Sequence, residues 1–385
     1  MAQKRKKRNN RGVPLWCMPC LLTAGALLAA DRLGGAALSS ALSQLAGNAA
    51  FVQAALASEI GALGWQSVSA HEPGAVSIAE VVDAQPLPEA LTGADAPYDT
   101  DAESALVYES LFVPPANVQQ AAESADTPTQ TADGAPIKPL TITGESGGYP
   151  GQDGVYIQNA SGLSYDLAAM LADPVKIQKN DSASEPTVLI LHTHASEAYV
   201  DQAGARSDDP AHNVVHIGDV LTEVLEAAGI GVVHCRTIID APSYNQSYNR
   251  AMDIIEQQLE QTPSIRMVID LHRDSMITSS GTEYKVVSEI DGQTCAQLMF
   301  VMGTNAGGLS HPNWKQNLNF AVNLQKSLLA DYPTLMRPIN LRKQRFNEQA
   351  TTGSMILECG TSANTMQEAE RAIRAFGGVL ARELS

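Results

Sequence analysis

From Gly154 onward, apolar runs of strand length alternate with stretches of helical periodicity. Thr187–Leu191 (TVLIL) is continuously apolar, as expected of a strand covered on both faces. Asn213 to Ile230 predicts a helix with apolar positions at Val220, Leu221, Val224 and Leu225, closed by Gly229. Gly231–Arg236 (GVVHCR) predicts a second strand, Tyr248–Gln261 a helix stopped by Pro263, and Met267–Leu271 (MVIDL) a third strand. Leu298–Val301 and Met355–Leu357 add two strands, with a long helix from about Pro312 to Ala330 between them. A last helix starts at Thr365, with Glu368 completing a capping box, and reaches about Leu384. Strands alternating with helices predict an α/β fold: three layers, α/β/α, around a mostly parallel sheet. In such sheets ligands bind beyond the carboxyl ends of the strands.

The chain before this region follows other patterns. Lys4, Arg5, Lys6, Lys7, Arg8 and Arg11 precede an apolar run from Val13 to Ala30. As a helix that run is about 27 Å long, near the ~30 Å hydrocarbon thickness of a bilayer. We read residues 1–32 as a basic cytoplasmic tail and a transmembrane anchor, which places the remainder outside the cell membrane. A cleaved signal peptide is the competing reading, although the run is long for its apolar core and lacks a clear small-x-small site. Residues 33–65 have weak helical periodicity. From about 70 to 140 Ala, Pro, Thr, Asp and Glu dominate, so 33–150 is expected to be a weakly helical, then disordered acidic linker, and 151–385 the catalytic domain.

Charge follows the same zones. The net charge is −17, while residues 33–137 contain no Lys or Arg. An acidic chain is a poor nucleic-acid binder, because phosphate contacts need clustered cations. Hydrophobic residues make up 44%, enough for a real core. Of five cysteines, Cys17 and Cys20 lie in the apolar run, and Cys235, Cys295 and Cys359 are expected to be buried free thiols.

The chemistry gathers where predicted strands end. His192-Thr193-His194-Ala195-Ser196-Glu197 follows the first strand, His272-Arg273-Asp274 the third, and Glu358 closes the last. Histidines and carboxylates converging on one sheet edge suit a hydrolytic zinc site, with three protein ligands, one open position and a free carboxylate as base. His194, Glu197 and His272 are the expected ligands. His192 competes with His194, since alternation sends both rings to the same side of an extended chain. Glu358 is the expected proton carrier: a lone carboxylate in an apolar strand (MILECG) needs a partner or a function. Arg273, Asp274 and Arg345 are candidates for orienting substrate. Asp270 is expected to point away from His272, while His212, His216, His234 and His311 are read as structural or solvated.

The runs VLILHTHASEAY, NVVHIGDVL, DAPSYNQSYNRA, VIDLHRDS and MILECGTSAN, in this order, resemble the stage II sporulation protein P family over roughly residues 155–385. More distantly, HASEAY, LHRDS and the strand-borne glutamate resemble zinc N-acetylmuramoyl-L-alanine amidases and zinc carboxypeptidases. The resemblance implies a membrane-anchored, Zn2+-dependent peptidoglycan hydrolase. It would cut the amide between N-acetylmuramic acid and L-alanine, with possible endopeptidase action on cross-links, during septal thinning and engulfment. It also implies sporulation proteins D and M as partners, zinc on His194 or His192, Glu197 and His272, and catalysis by Glu358. A zinc carboxypeptidase-like peptidase and a non-catalytic wall-binding scaffold are the alternatives.

Overall fold

The computed structural model describes residues 119–120, 128–145, 148–202, 204–241 and 243–384. The expected anchor and most of the expected linker lie outside these residues. Among the described residues no helix is long and apolar enough to cross a membrane.

The strands are β1 (Gln119–Gln120), β2 (Ile137–Thr141), β3 (Gly151–Gln152), β4 (Val155–Asn159), β5 (Val188–Leu191), β6 (Val232–His234), β7 (Met267–Asp274), β8 (Glu283–Ile290), β9 (Gln293–Ala296), β10 (Leu298–Met302), β11 (Ile339–Leu341) and β12 (Met355–Thr361). The α-helices are α1 (Leu167–Ala172), α2 (Val214–Ala227), α3 (Ser247–Gln261), α4 (Trp314–Asp331) and α5 (Met366–Glu383). The main sheet has eight strands in the order β3-β4-β11-β10-β12-β7-β5-β6. It is parallel except at β3–β4 and β10–β12.

Side-chain alternation sorts the core into two layers. Val188 and Ile190 of β5, with Met267, Ile269 and Leu271 of β7, pack among residues of α2, α4 and α5, such as Leu221, Leu318 and Phe376. Leu189, Leu191 and Val268 project the other way and pack on Ala251 and Ile255 of α3. Both faces are therefore covered, which explains why VLIL is apolar at every position. Asn213 caps α2, its side chain accepting from the Val215 amide. Thr365 and Glu368 form the expected capping box of α5.

A second sheet, β1-β2-β8-β9, was not expected. Its strand β2 falls within the stretch read from composition as linker, yet Leu140 and Ile142 are buried with Met276 and Val286. The β8–β9 hairpin turns on Asp291-Gly292, both with positive φ (52° and 74°), the pairing a tight primed turn requires. Asp153-Gly154 turns β3 into β4 in the same way (53° and 81°). Cys235, Cys295 and Cys359 are free thiols, the last two buried.

Candidate active site

Strands β5, β7 and β12 are parallel neighbours, with β7 between the other two. Their carboxyl ends therefore share one edge. On β7, alternation turns Asp270 and His272 toward the α3 face, opposite Ile269 and Leu271. On β12, Glu358 stands beside His272 in the strand register. Immediately beyond it the ladder is irregular, and Gly360 takes φ +73° at a place where a Cβ would meet Asn364 Oδ1 at 2.9 Å. Such an irregularity ends regular pairing just after a side chain has been aimed.

The chain leaving β5 turns sharply. Thr193 donates from its amide and hydroxyl to the two carboxylate oxygens of Asp270 (2.8 and 2.5 Å). Ser196 does the same to Asp240 (3.0 and 2.5 Å). The turn they fix carries His194 against Tyr244, ring on ring at 4.2 Å between centroids. The edges of Tyr248 and His272 approach it at 5.6 and 5.3 Å. Glu197 accepts from the Arg273 amide at 3.1 Å, and its Oε2 lies 3.5 Å from His272 Nδ1. His272 Nε2 lies 2.9 Å from Asp270 Oδ1, an ion-pair distance without hydrogen-bond alignment.

Electrostatics follow from these neighbours. Burial works against a charge on His272, but Asp270 and Glu197 hold its pKa well above the usual imidazole value. Burial likewise opposes the charge on Glu197, yet Arg273 and His272 keep its carboxyl well below the ordinary range. His194 is pushed down to about 3, by burial and then by the charge on His272. Glu358 is pushed up to about 8, by burial and then by Asp274.

Among the described residues, four buried polar atoms here have no hydrogen-bond partner: both ring nitrogens of His194, Nε2 of His272 and Oε2 of Glu358. Buried polar groups are normally paired, so orphans gathered at one place point to a missing partner. Two donor atoms each about 2.1 Å from one tetrahedral ion lie about 3.4 Å apart. The 3.5 Å between Glu197 Oε2 and His272 Nδ1 fits that spacing. Asp270 lies behind the other nitrogen of His272, the place where metal-binding histidines usually keep a carboxylate. Among the described residues no three His, Cys, Asp or Glu side chains already close on one point as a finished cage. The Glu197–His272 pair fits zinc in type and spacing, and His194 would have to turn a nitrogen toward that pair to complete the set.

Residues 115–381 match the Stage II sporulation protein P family. The chain belongs to that family. It is 27% identical over 217 residues to Stage II sporulation protein P of Bacillus subtilis (strain 168), an alignment covering 52% of each chain. The match thus spans about half the length of that curated relative. Among solved structures it is similar to the N-acetylmuramoyl-L-alanine amidase AmiC2 of Nostoc punctiforme, at 14% identity and a TM-score of 0.31, over 52% of this chain and 95% of that one. It is also similar to the CwlD amidase of Clostridioides difficile in complex with the GerS lipoprotein, at 15% and 0.33, over 51% and 98%.

In this Stage II sporulation protein P family member, His194, Glu197, His272 and Glu358 come together as the sequence predicted. Four expectations need correction. His192 does not share a side with His194: it continues the alternation of Val188 and Ile190 onto the α2 face, and the turn at 193–196 sends His194 to the other. Both its nitrogens are engaged, Nδ1 with the Leu271 carbonyl (2.8 Å) and Nε2 with His234 (2.9 Å), so it has none left for a metal. Arg273 is buried and braces the loop, donating to the Ala198 and Ala205 carbonyls (3.0 and 2.8 Å). Arg345 is buried and donates to the Ser310 carbonyl beside His311. Asp270, expected to point away, faces the same side as His272 because residues two apart on a strand share a face. Asp274 does border the site, but it is committed to Arg337 (2.7 Å). Sequence reasoning missed Tyr244, Tyr248, Asp240 and Arg337. The tyrosines had a signal, one ring just before the predicted helix and one in its first turn.

Proposed function

We propose that this protein is a zinc-dependent peptidoglycan hydrolase of the sporulating cell, cutting the amide between N-acetylmuramic acid and L-alanine. The observation that carries the reading is the set of orphaned buried atoms on His194 and Glu358 beside the Glu197–His272 pair. Membership of the sporulation family supplies the biological setting.

In this reading His194, Glu197 and His272 hold the ion, and Asp270 fixes the His272 ring. The bound ion would polarise the scissile carbonyl and acidify a water. Glu358 accepts the proton of the attacking water and returns it to the leaving nitrogen. Tyr244 and Tyr248 wall His194 and keep bulk water from its ring. The basic tail and apolar run would tether the domain to the membrane, and sporulation proteins D and M would be its partners; both rest on the sequence and its resemblance.

The test is the mass of what the full chain releases from purified peptidoglycan. Stem peptides with a free alanine amine, lost on chelation and regained with zinc, support the reading. Fragments cut within the peptide would indicate a peptidase. Glycan binding without any cleavage would indicate a scaffold.

A further inference from the structure

Arg206 is not needed by the chemistry described above, yet it stands at the site's rim. Its Nη1 donates to Asp240 Oδ2 (2.8 Å) and Ser196 Oγ (2.9 Å), the two groups that fix the turn between His194 and Glu197. Its guanidinium carbon lies 4.7 Å from the centre of the Tyr244 ring, and that ring lies on His194. The side chain is still 46% exposed, against 7% for Arg273 and 4% for Arg337, which are held by Glu197 and Asp274. Among the described residues the side-chain hydrogen bonds of Arg206 fall on Nη1, which leaves Nε and Nη2 as a pair of donors on a half-exposed side chain.

A guanidinium edge of two parallel N–H groups matches a carboxylate. The surroundings make such a cation necessary for an acidic ligand. Glu197, Asp240, Asp270, Asp274 and Glu358 all crowd this edge, in a chain of net charge −17. The Tyr244 stack keeps Arg206 within about 9 Å of the His194 ring. Extended chain advances about 3.3–3.6 Å per residue. A ligand chain with its scissile bond at His194 therefore brings its next one or two residues to Arg206.

We infer that Arg206 is a specificity-determining residue that anchors a free carboxylate on the peptide side of the substrate, one or two residues beyond the cleaved bond. The inference rests on the hydrolase reading for the position of that bond. Asp240 and Tyr244 hold the guanidinium in place. The ligand class is an acidic peptide joined through alanine.

Titration calorimetry on the full chain at low salt tests this with two probes. One is N-acetyl-L-alanyl-D-glutamate, the other the same dipeptide with its carboxylates converted to carboxamides. The acid should bind roughly 10–100-fold more tightly, the range of a charge-assisted hydrogen bond, and added salt should shrink the gap. Arg206→Gln should erase the preference, lowering binding of the acid far more than binding of the amide. Arg206→Lys, which can still pair with Asp240, should keep part of it. Asp240→Asn, which loosens the turn itself, should weaken both probes. Equal binding of the two probes by the unaltered protein, no binding of either, or an equal loss of both in Arg206→Gln overturns the inference. An Arg206-dependent preference in a protein that cleaves no peptidoglycan would leave the anchor standing and remove the hydrolase reading.

Discussion

At the scale of single residues, Glu358 and His192 show how neighbours decide a role. Both are polar groups buried near the ends of apolar strands. His192 has hydrogen-bond partners at both nitrogens, while Glu358 Oε2 has none. In the proposed mechanism, replacing Glu358 by Gln keeps the shape and removes the proton carrier. Turnover should fall roughly 100- to 10,000-fold with zinc content unchanged, as read by metal analysis beside a hydrolysis assay. Glu197, His272 and Glu358 were legible because each stands where a predicted strand ends. The error over His192 came from extending strand alternation past Leu191, where the chain already turns. The error over Asp270 was the reverse, alternation ignored within β7, where it holds. No sequence rule announced Arg337, whose tie to Asp274 spans 63 positions.

Elements add constraints of their own. In α2, Gly218 faces the His192–His234 pair, and a Cβ there would meet their Nε2 atoms at 2.7 and 2.5 Å. The rings cannot yield cheaply, since His192 is tied to Leu271 and His234 to Asp219 (3.0 Å). Alanine would gain up to about 1 kcal/mol of helix propensity but suffer overpacking of about 1–3 kcal/mol. Overpacking wins, so Gly218→Ala should lower the melting temperature by a few degrees in calorimetry. The helices and inner strands were readable from the sequence because their apolar period and caps are local, as at Asn213 and Thr365. The four-stranded sheet was not, although Asp153-Gly154 and Asp291-Gly292 marked its hairpin and that of β3–β4. The partner of β2 is β8, nearly 150 residues away, and composition alone assigned 137–141 to the linker.

For the whole molecule, buried ionisable groups tie stability to pH. His311 is held down to about 4 by burial, despite Asn313 and with Arg345 adding to the effect. Glu348, 3.9 Å away, is itself pushed well up by burial and offers no compensating negative charge. A histidine with a folded pKa below its unfolded value of about 6.5 favours the fold above that pH and loses the contribution as pH falls toward 4. Relative to His311→Gln, the unaltered protein should lose roughly 2–3 kcal/mol between pH 6.5 and 4, measured by denaturant titration at each pH.

Strand β12 is flanked on both sides, antiparallel to β10 and parallel to β7, and Glu358 is paired across both ladders, with Met299 and with His272. Fraying therefore has no short route to Glu358, whereas the turn at 193–196 can loosen by itself. Deuterium should enter the Glu358 amide last, at the rate of complete unfolding, and the turn much earlier. On warming, the turn at 193–196 would slacken first, and cooling should restore it with the sheet never having opened.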